Sequence, residues 1–559
     1  MRTLMSILLL AGIAIAGCAS VEVEADADTP LPADNPVRTL YGDDAPGWTD
    51  EPAWQRVVSI DDYPGESPDE KFRAARDDLV ERGGGVIYFP AGTYEFSEDV
   101  VLDDGIIIRG RAPVDVTDAR DDGYELGTKF VFPRYKPTFE GDGTPLDTAF
   151  RKITLAETQT ADNVGVVNIH INRGHIYFPD GPDHQTGSNR LVMGNIMRNT
   201  AIADPSIPRE DIGQHGWQRW TQRHRAAIHV YSGENLFVAN NRLPESGEEN
   251  FEQPGYVLAQ NKTDVHDLAF DPARHDYEKV VMDSGIVFDY DNRPGIYAND
   301  FGIGAPGDGL PNGTPESHPH GFRKGTIIRN NHIFATGRCP IAFCGDGTIV
   351  EGNVIRIPAG VWRPTCRGFE TTGPGSTNDN RGIQCRGYRW VVRNNDIEVH
   401  SNRTYDRQHY ICDGEGIMHE NHVNSKVLDS KVVDNELNAY ICIWRVEVDG
   451  LEIRGNEVNK APSAVIDLEP AIAVKGRKRF EGQPYCPVRN LTIADNTVRN
   501  AAITVLGEDR GNIVIENNIS LDERPAALVV ENVSPDRMEN NRKFTVFESE
   551  QAALEAQGQ

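Results

Sequence analysis

Two pairs of carboxylates lie two residues apart in the chain, a spacing with a chemical use. Asp413 and Glu415 lie in Cys412-Asp413-Gly414-Glu415-Gly416-Ile417, and Asp289 and Asp291 in Val287-Phe288-Asp289-Tyr290-Asp291. On an extended strand such residues point to the same side with Cα atoms about 6.6–7 Å apart. Inverting glycosidases hold their two carboxyl groups about 6.5–9.5 Å apart, so that a water fits between acid and base. Either pair is therefore a candidate general acid and general base. The Asp-Gly-Glu-Gly string is also good turn chemistry, and Cys344-Gly345-Asp346-Gly347-Thr348-Ile349 is a sister of it.

Other groups could serve the same chemistry. His419, Glu420 and His422 follow Glu415 at once, and Arg381 and Arg386 precede it. A β-eliminating enzyme needs a base of suitable pKa and a cation that neutralises a uronate carboxylate, which His and Arg supply. Trp217 and Trp220 stand in Trp217-Gln218-Arg219-Trp220, with Arg223 and Arg225 close behind. Indole faces stack on sugar C–H faces and guanidinium forks grip carboxylate or sulfate, although a Trp in a long loop also packs the loop down. Lys475-Gly476-Arg477-Lys478-Arg479 is the densest positive run. It reads as a solvated loop or as the dock of a polyanion. His318-Pro319-His320 has no clear third ligand and no two Cys form a CxxC, so no metal or other cofactor is expected. Calcium would need an acidic cluster that no spacing here fixes.

The balance of 85 acidic against 56 basic residues, a formal charge of −29, excludes a nucleic-acid binder. An anionic glycan would need a local basic patch. At the N-terminus, Arg2 precedes an apolar run from Leu4 to Ala16, too short to span a bilayer. It ends in Ile15-Ala16-Gly17-Cys18, which resembles the bacterial lipobox. The resemblance implies a signal peptide over 1–17, a lipidated Cys18, and a place on the bacterial outer membrane or cell envelope. Residues 18–50 are rich in Asp, Glu, Pro and Ala and are expected to form a disordered tether. In an oxidising compartment Cys339 and Cys344, Cys366 and Cys385, and Cys412 and Cys442 could pair, leaving Cys486 over.

The elements that hold these groups announce themselves as a repeat. Aliphatic alternation followed by Asn recurs, with aligned Asn at 331, 353, 395, 435, 456, 496, 518 and 541. The steps are one or two units of about twenty-one residues, as for short strands stacked rung on rung at about 4.8 Å. Asn tolerates a left-handed backbone at the tight turn, and stacked Asn side chains bond along the ladder. The spacing predicts a right-handed parallel β-helix over 51–545, a C-terminal tail over 546–559, and long inter-rung loops. Residues 173–225 form a first large excursion and 302–324 a second, and such insertions build binding sites.

A helix is predicted ahead of the coil. Ser67-Pro68-Asp69-Glu70 is a capping box, Phe72, Ala75, Leu79 and Val80 share a face, and Gly83-Gly84-Gly85 ends it. Such a helix plugs the open end of a coil. The strand Val86-Ile87-Tyr88-Phe89-Pro90-Ala91-Gly92-Thr93-Tyr94 follows. Helix, Gly-rich turn and this strand together resemble the opening of the pectate-lyase and rhamnogalacturonase-type β-helix superfamily. With the Asn ladder, the resemblance covers most of 55–545. It implies a carbohydrate ligand and glycosidic-bond cleavage. The Asn-Thr-Asp, Gly-His-Gly and Arg-Ile-Lys signatures of polygalacturonase-like hydrolases are absent, so no catalytic set carries over.

The sequence thus points to an enzyme that cleaves an extracellular polysaccharide, with hydrolysis ahead of β-elimination. The alternative is a non-catalytic glycan-binding or adhesin-type β-helix. The expected partner is a polysaccharide, anionic if it meets the Arg and Lys residues, and the membrane is touched only through the lipid anchor.

Overall fold

The structure is a computed structural model. It describes residues 31–133, 151–156, 160–179, 186–198, 227–243, 296–298, 323–334, 340–357, 381–399, 415–420, 426–444, 446–460, 470–476 and 484–556.

Each rung of the coil carries three strands. A first-face strand such as Lys324–Arg329 ends at a tight turn, the second-face strand His332–Phe334 follows, and the third-face strand Ile341–Asp346 closes the circuit. The next rung repeats this with Ile349–Glu351, Val354–Ile357 and Arg381–Tyr388. All pairings between these rungs are parallel. Parallel strands joined by crossovers coil right-handed. The fold is the predicted right-handed parallel β-helix.

Register fills the core. On the third face Ile341, Ile383, Ile417, Ile441, Ile472, Ile503 and Leu528 stack in one inward column. All seven are fully buried. Each such side chain contributes about 1.5–3 kcal/mol relative to exposure.

The asparagine ladder is present and longer than predicted. It runs from Asn195 and Asn241 through Asn331, Asn353, Asn395, Asn435, Asn456, Asn496 and Asn518 to Asn541. Each Nδ2 donates to the next Oδ1 at 2.9–3.0 Å. The two roles expected of one Asn are split between neighbours. The left-handed residue is the one before the ladder Asn: Asn330, Gly352, Asn394, Asp434, Gly455 and Asp495 all have φ between 53° and 66°. That residue turns the chain, which Gly, Asn and Asp tolerate. Its successor then aims its amide inward along the coil.

Both chain ends depart from expectation. The helix Pro68–Glu81 forms, with Ser67 Oγ accepting the Glu70 N–H at 3.2 Å, and Phe72, Ala75 and Leu79 join the core. Val80 is 43% exposed, because it lies one step round the helix from Leu79. The tether expected over 18–50 is ordered from Leu31 on. Helix Pro36–Tyr41 sets Val37, with Trp54, against the outer side of the first face at Val86, Ile107, Val167 and Phe237. Arg109 fastens it through the carbonyls of Pro32 (3.2 Å) and Asp34 (2.8 Å). Apolar outer residues on those rungs require this cover. The expected tail likewise forms the strand Phe544–Phe547 and the helix Glu550–Ala556. Cys385 is free and fully buried in the core, so the pairing with Cys366 is not made; burial pushes its thiol pKa well up. Cys339, Cys366 and Cys412 lie outside the described residues.

Candidate functional site

The three corners of the coil are unequal. Between the first and second faces the chain usually turns in a dipeptide, such as Asn330-Asn331 or Gly455-Asn456. The excursion 111–127 folds back along that corner: Tyr124 Oη donates to the Gly194 carbonyl at 2.7 Å and Arg120 to that of Gly352 at 3.0 Å. The other long connections border the third face. Those entering it span 132–151, 199–227, 244–295, 358–380, 400–414 and 460–469, and those leaving it include 179–189, 299–323 and 476–486. One face flanked at both edges by insertions is where this scaffold can place a binding site.

The candidates from sequence fall on that face or in those connections. Trp217 and Trp220 belong to 199–227, Asp289 and Asp291 to 244–295, Asp413 to 400–414 and Arg477 to 476–486. These six lie outside the described residues, as does Cys18. Arg381 and Arg386 stand on the third-face strand Arg381–Tyr388, Glu415 and His419 on Glu415–Glu420, and Lys475 on Pro470–Lys475.

Register brings two of them together. Arg381 pairs with Glu415, and Glu415 pairs with Tyr440 on the following rung. Residues far apart in sequence thereby become neighbours across strands about 4.8 Å apart. His419 pairs with Ile443, whose column continues to Val474 in the buried core. Arg386 pairs with Cys344 one rung toward the N-terminus. Lys475 Nζ bonds the Glu550 carboxylate of the C-terminal helix at 2.7 Å, so its charge meets an internal partner.

A second cluster escaped the sequence reading. Toward the N-terminal end of the same face, Tyr177 lies between two imidazoles, with ring centroids 6.2 Å from His175 and 5.3 Å from His229. Tyr231 lies 5.0 Å beyond His229. Lys152 Nζ is 5.7 Å from the Tyr177 ring and 3.7 Å from the carboxylate of Asp99, whose pKa burial raises. Beneath them the fully buried Arg190 donates to the carbonyls of Phe178 and Pro179, at 3.5 and 3.3 Å, and to that of Tyr231. It pins the third-face strands of two rungs at their shared corner. The available signal was alternation: in Lys152-Ile153-Thr154-Leu155 and His175-Ile176-Tyr177-Phe178, core residues sit between polar ones.

Among the described residues no three His, Cys, Asp or Glu side chains gather to hold a metal ion. None of the described helices is long and apolar enough to cross a membrane.

No protein-family model matches the chain, and neither does any curated protein. Several solved structures are similar at low identity. PfbA, a surface adhesin of Streptococcus pneumoniae, is 11% identical over 86% of this chain and 91% of its own, with a TM-score of 0.39. The tailspike protein of E. coli bacteriophage HK620, solved with a pentasaccharide, is 10% identical over 87% and 66%, with a TM-score of 0.38. The catalytic unit of a GH87 alpha-1,3-glucanase from Streptomyces thermodiastaticus is 11% identical over 88% and 70%, with a TM-score of 0.39. The chain's own strand register, parallel from rung to rung, makes it a right-handed parallel β-helix.

Proposed function

We propose that the third face is the floor of a groove in which this chain binds an extracellular polysaccharide and hydrolyses its glycosidic bonds. The observation that carries the reading is the pairing of Arg381 with Glu415, and of Glu415 with Tyr440 across a register shift, on strands that the long connections border. In this reading Glu415 is the general base and Asp413, two residues away, the general acid. The acid protonates the bridging oxygen as the bond to the anomeric carbon breaks. The base takes a proton from water, whose hydroxyl goes to that carbon. The same reading places the chain outside the cytoplasm, anchored through Cys18; a Cys18→Ser variant recovered without lipid and released from the membrane fraction supports that part.

The test of the activity is a screen of neutral, sulfated and uronate-rich polysaccharides that reads new reducing ends and the absorbance of unsaturated uronate. New ends without that absorbance, abolished by Glu415→Gln, support hydrolysis. Both signals together mean β-elimination and sink the paired-carboxylate mechanism. Retained binding without any cleavage sinks the enzyme and leaves a glycan-binding surface protein.

A further inference from the structure

The two ends of the coil are finished differently. At the N-terminal end the helix Pro68–Glu81 sends Phe72, Ala75 and Leu79 into the core. At the C-terminal end the core columns run out. Ile453, Ile493 and Ile515 stack fully buried on the first face, and the next residue of that column, Met538, is 39% exposed. On the third face Ile472, Ile503 and Leu528 are followed by Val546, which is 48% exposed. The helix Glu550–Ala556 does not cover this opening. Its buried Ala553 clusters with Ala502, Ala527, Val529 and Phe547, which alternate with the inward Ile503, Leu528 and Val546 and so lie on the outer side of the third face.

Backbone is left open there as well. Arg537–Glu539 pairs with Ile513–Glu516, and Phe544–Phe547 with Ala526–Glu531. Among the described residues neither strand has a second strand on its far edge. An open strand edge beside bare apolar side chains is a template for another chain.

The charges on that edge select which chain. Arg537 and Glu539 are both half-exposed and stand on either side of Met538, 3.8 Å apart at their closest atoms, and Arg537 also donates to Glu516 at 2.8 Å. Charges on an edge usually keep other strands away. Here the two signs complement themselves. When the same strand of a second copy runs antiparallel beside this one, centred on Met538, each Arg537 stands opposite the Glu539 of the other copy. Opposite charges facing each other across strands stabilise the pair, and like charges oppose it. The relation is a twofold, in which one patch binds its own image. Head-to-tail stacking would instead set this end on the helix Pro68–Glu81, which already fills the other opening.

We infer that two copies of this chain dock end to end through their C-terminal rungs, forming a twofold dimer in which the first-face sheet runs on from one coil into the other. The inference is independent of the chemistry proposed for the third face. The contact is no larger than the cross-section of one coil, so the dimer forms and dissociates with concentration.

The test follows the full chain, carrying Cys18→Ser so that no lipid drives association. Sedimentation velocity over a concentration series gives the mass, and X-ray scattering the shape. The expected result is a dimer that grows with concentration and has a maximum dimension close to the sum of two coils. Arg537→Glu makes the edge wholly acidic and Glu539→Arg makes it wholly basic, so each alone is expected to weaken association by about tenfold or more. Mixed in equal amounts, the two variants are expected to pair with each other, because every acidic position then meets a basic one. A monomer at every concentration, a compact side-by-side dimer, a dimer that both variants leave intact, or a mixture that stays monomeric overturns the inference. Should one variant fail to show a folded unfolding transition, the other decides together with Met538→Lys, which sets two ammonium groups face to face. Undiminished dimers in either overturn the inference, and monomers in both support it.

Discussion

The corner between the first and second faces and the edges of the third face are built on opposite terms. At the corner every rung from Asn195 to Asn541 solves one problem the same way. A left-handed Gly, Asn or Asp turns the chain, and the Asn after it bonds to the rungs above and below. Along the third face the paired residues change from rung to rung, as in Ala342, Gln384 and, further on, Cys442, Ala473, Thr504 and Val529, and the connections vary from a few residues to 244–295. Uniform bonding tolerates no insertion, because each amide must meet its neighbour. Variable connections tolerate it freely, because the strands between them are already held by the core. Stability and recognition thus occupy different edges of the same coil.

Breaking the ladder and breaking the face should therefore have separable effects. The largest functional loss is expected from Glu415→Gln: a fall in hydrolysis of about 10²–10⁴-fold, the usual worth of a general base, with the unfolding midpoint unchanged. The largest loss of stability is expected from Asn395→Ala. Asn395 Oδ1 accepts the backbone and side-chain N–H groups of Asn353, and its Nδ2 donates to the Val350 carbonyl and to Asn435. Each buried polar group left unpaired costs about 1–3 kcal/mol, so denaturant unfolding should show a drop of several kcal/mol. Equal stability in that variant would mean the ladder is ornamental.

A smaller effect should follow from pH on the second face. His332 is buried and touches the guanidinium of Arg242 at 3.0 Å, with Arg356 and Asp122 also acting on it. Burial, with Arg242 second, pulls its pKa from 6.5 to about 4. Between those values the unfolded chain binds the proton and the folded chain does not, so stability rises with pH across that window and falls on acidification. His332→Gln should flatten that part of a stability-versus-pH curve. The smallest change is expected from Asn394→Gly, beside the ladder. Asn394 has φ 53°, which Gly adopts without strain, so the shift should stay within about 1 kcal/mol. A large loss there would undo the separation of turning and bonding.

This contrast also explains what the sequence disclosed. The ladder was legible because it repeats one residue type at a near-constant step, and the inward Ile and Val columns followed from it. The third face was not, because its turns carry no such mark. His175, Tyr177 and His229 read as scattered polar residues until strand pairing sets them side by side. The search for carboxylate pairs reached Glu415 but could not show that its strand partner is Arg381, since that depends on how much chain the connection takes between the two strands. The ends were misjudged by composition. An acidic, Pro-rich stretch looked like a tether, yet Val37 within it and Trp54 just beyond fix it to the coil.

The amides of the ladder all point one way, each giving its Nδ2 hydrogen toward the C-terminal neighbour. For a chain made from its N-terminus this orders assembly in time. A finished rung holds out hydrogens that only the next rung, not yet made, can accept, so the growing edge stays receptive until another turn is laid on it. The series stops at Asn541, which is half-exposed, and there water can stand where a further rung would have been.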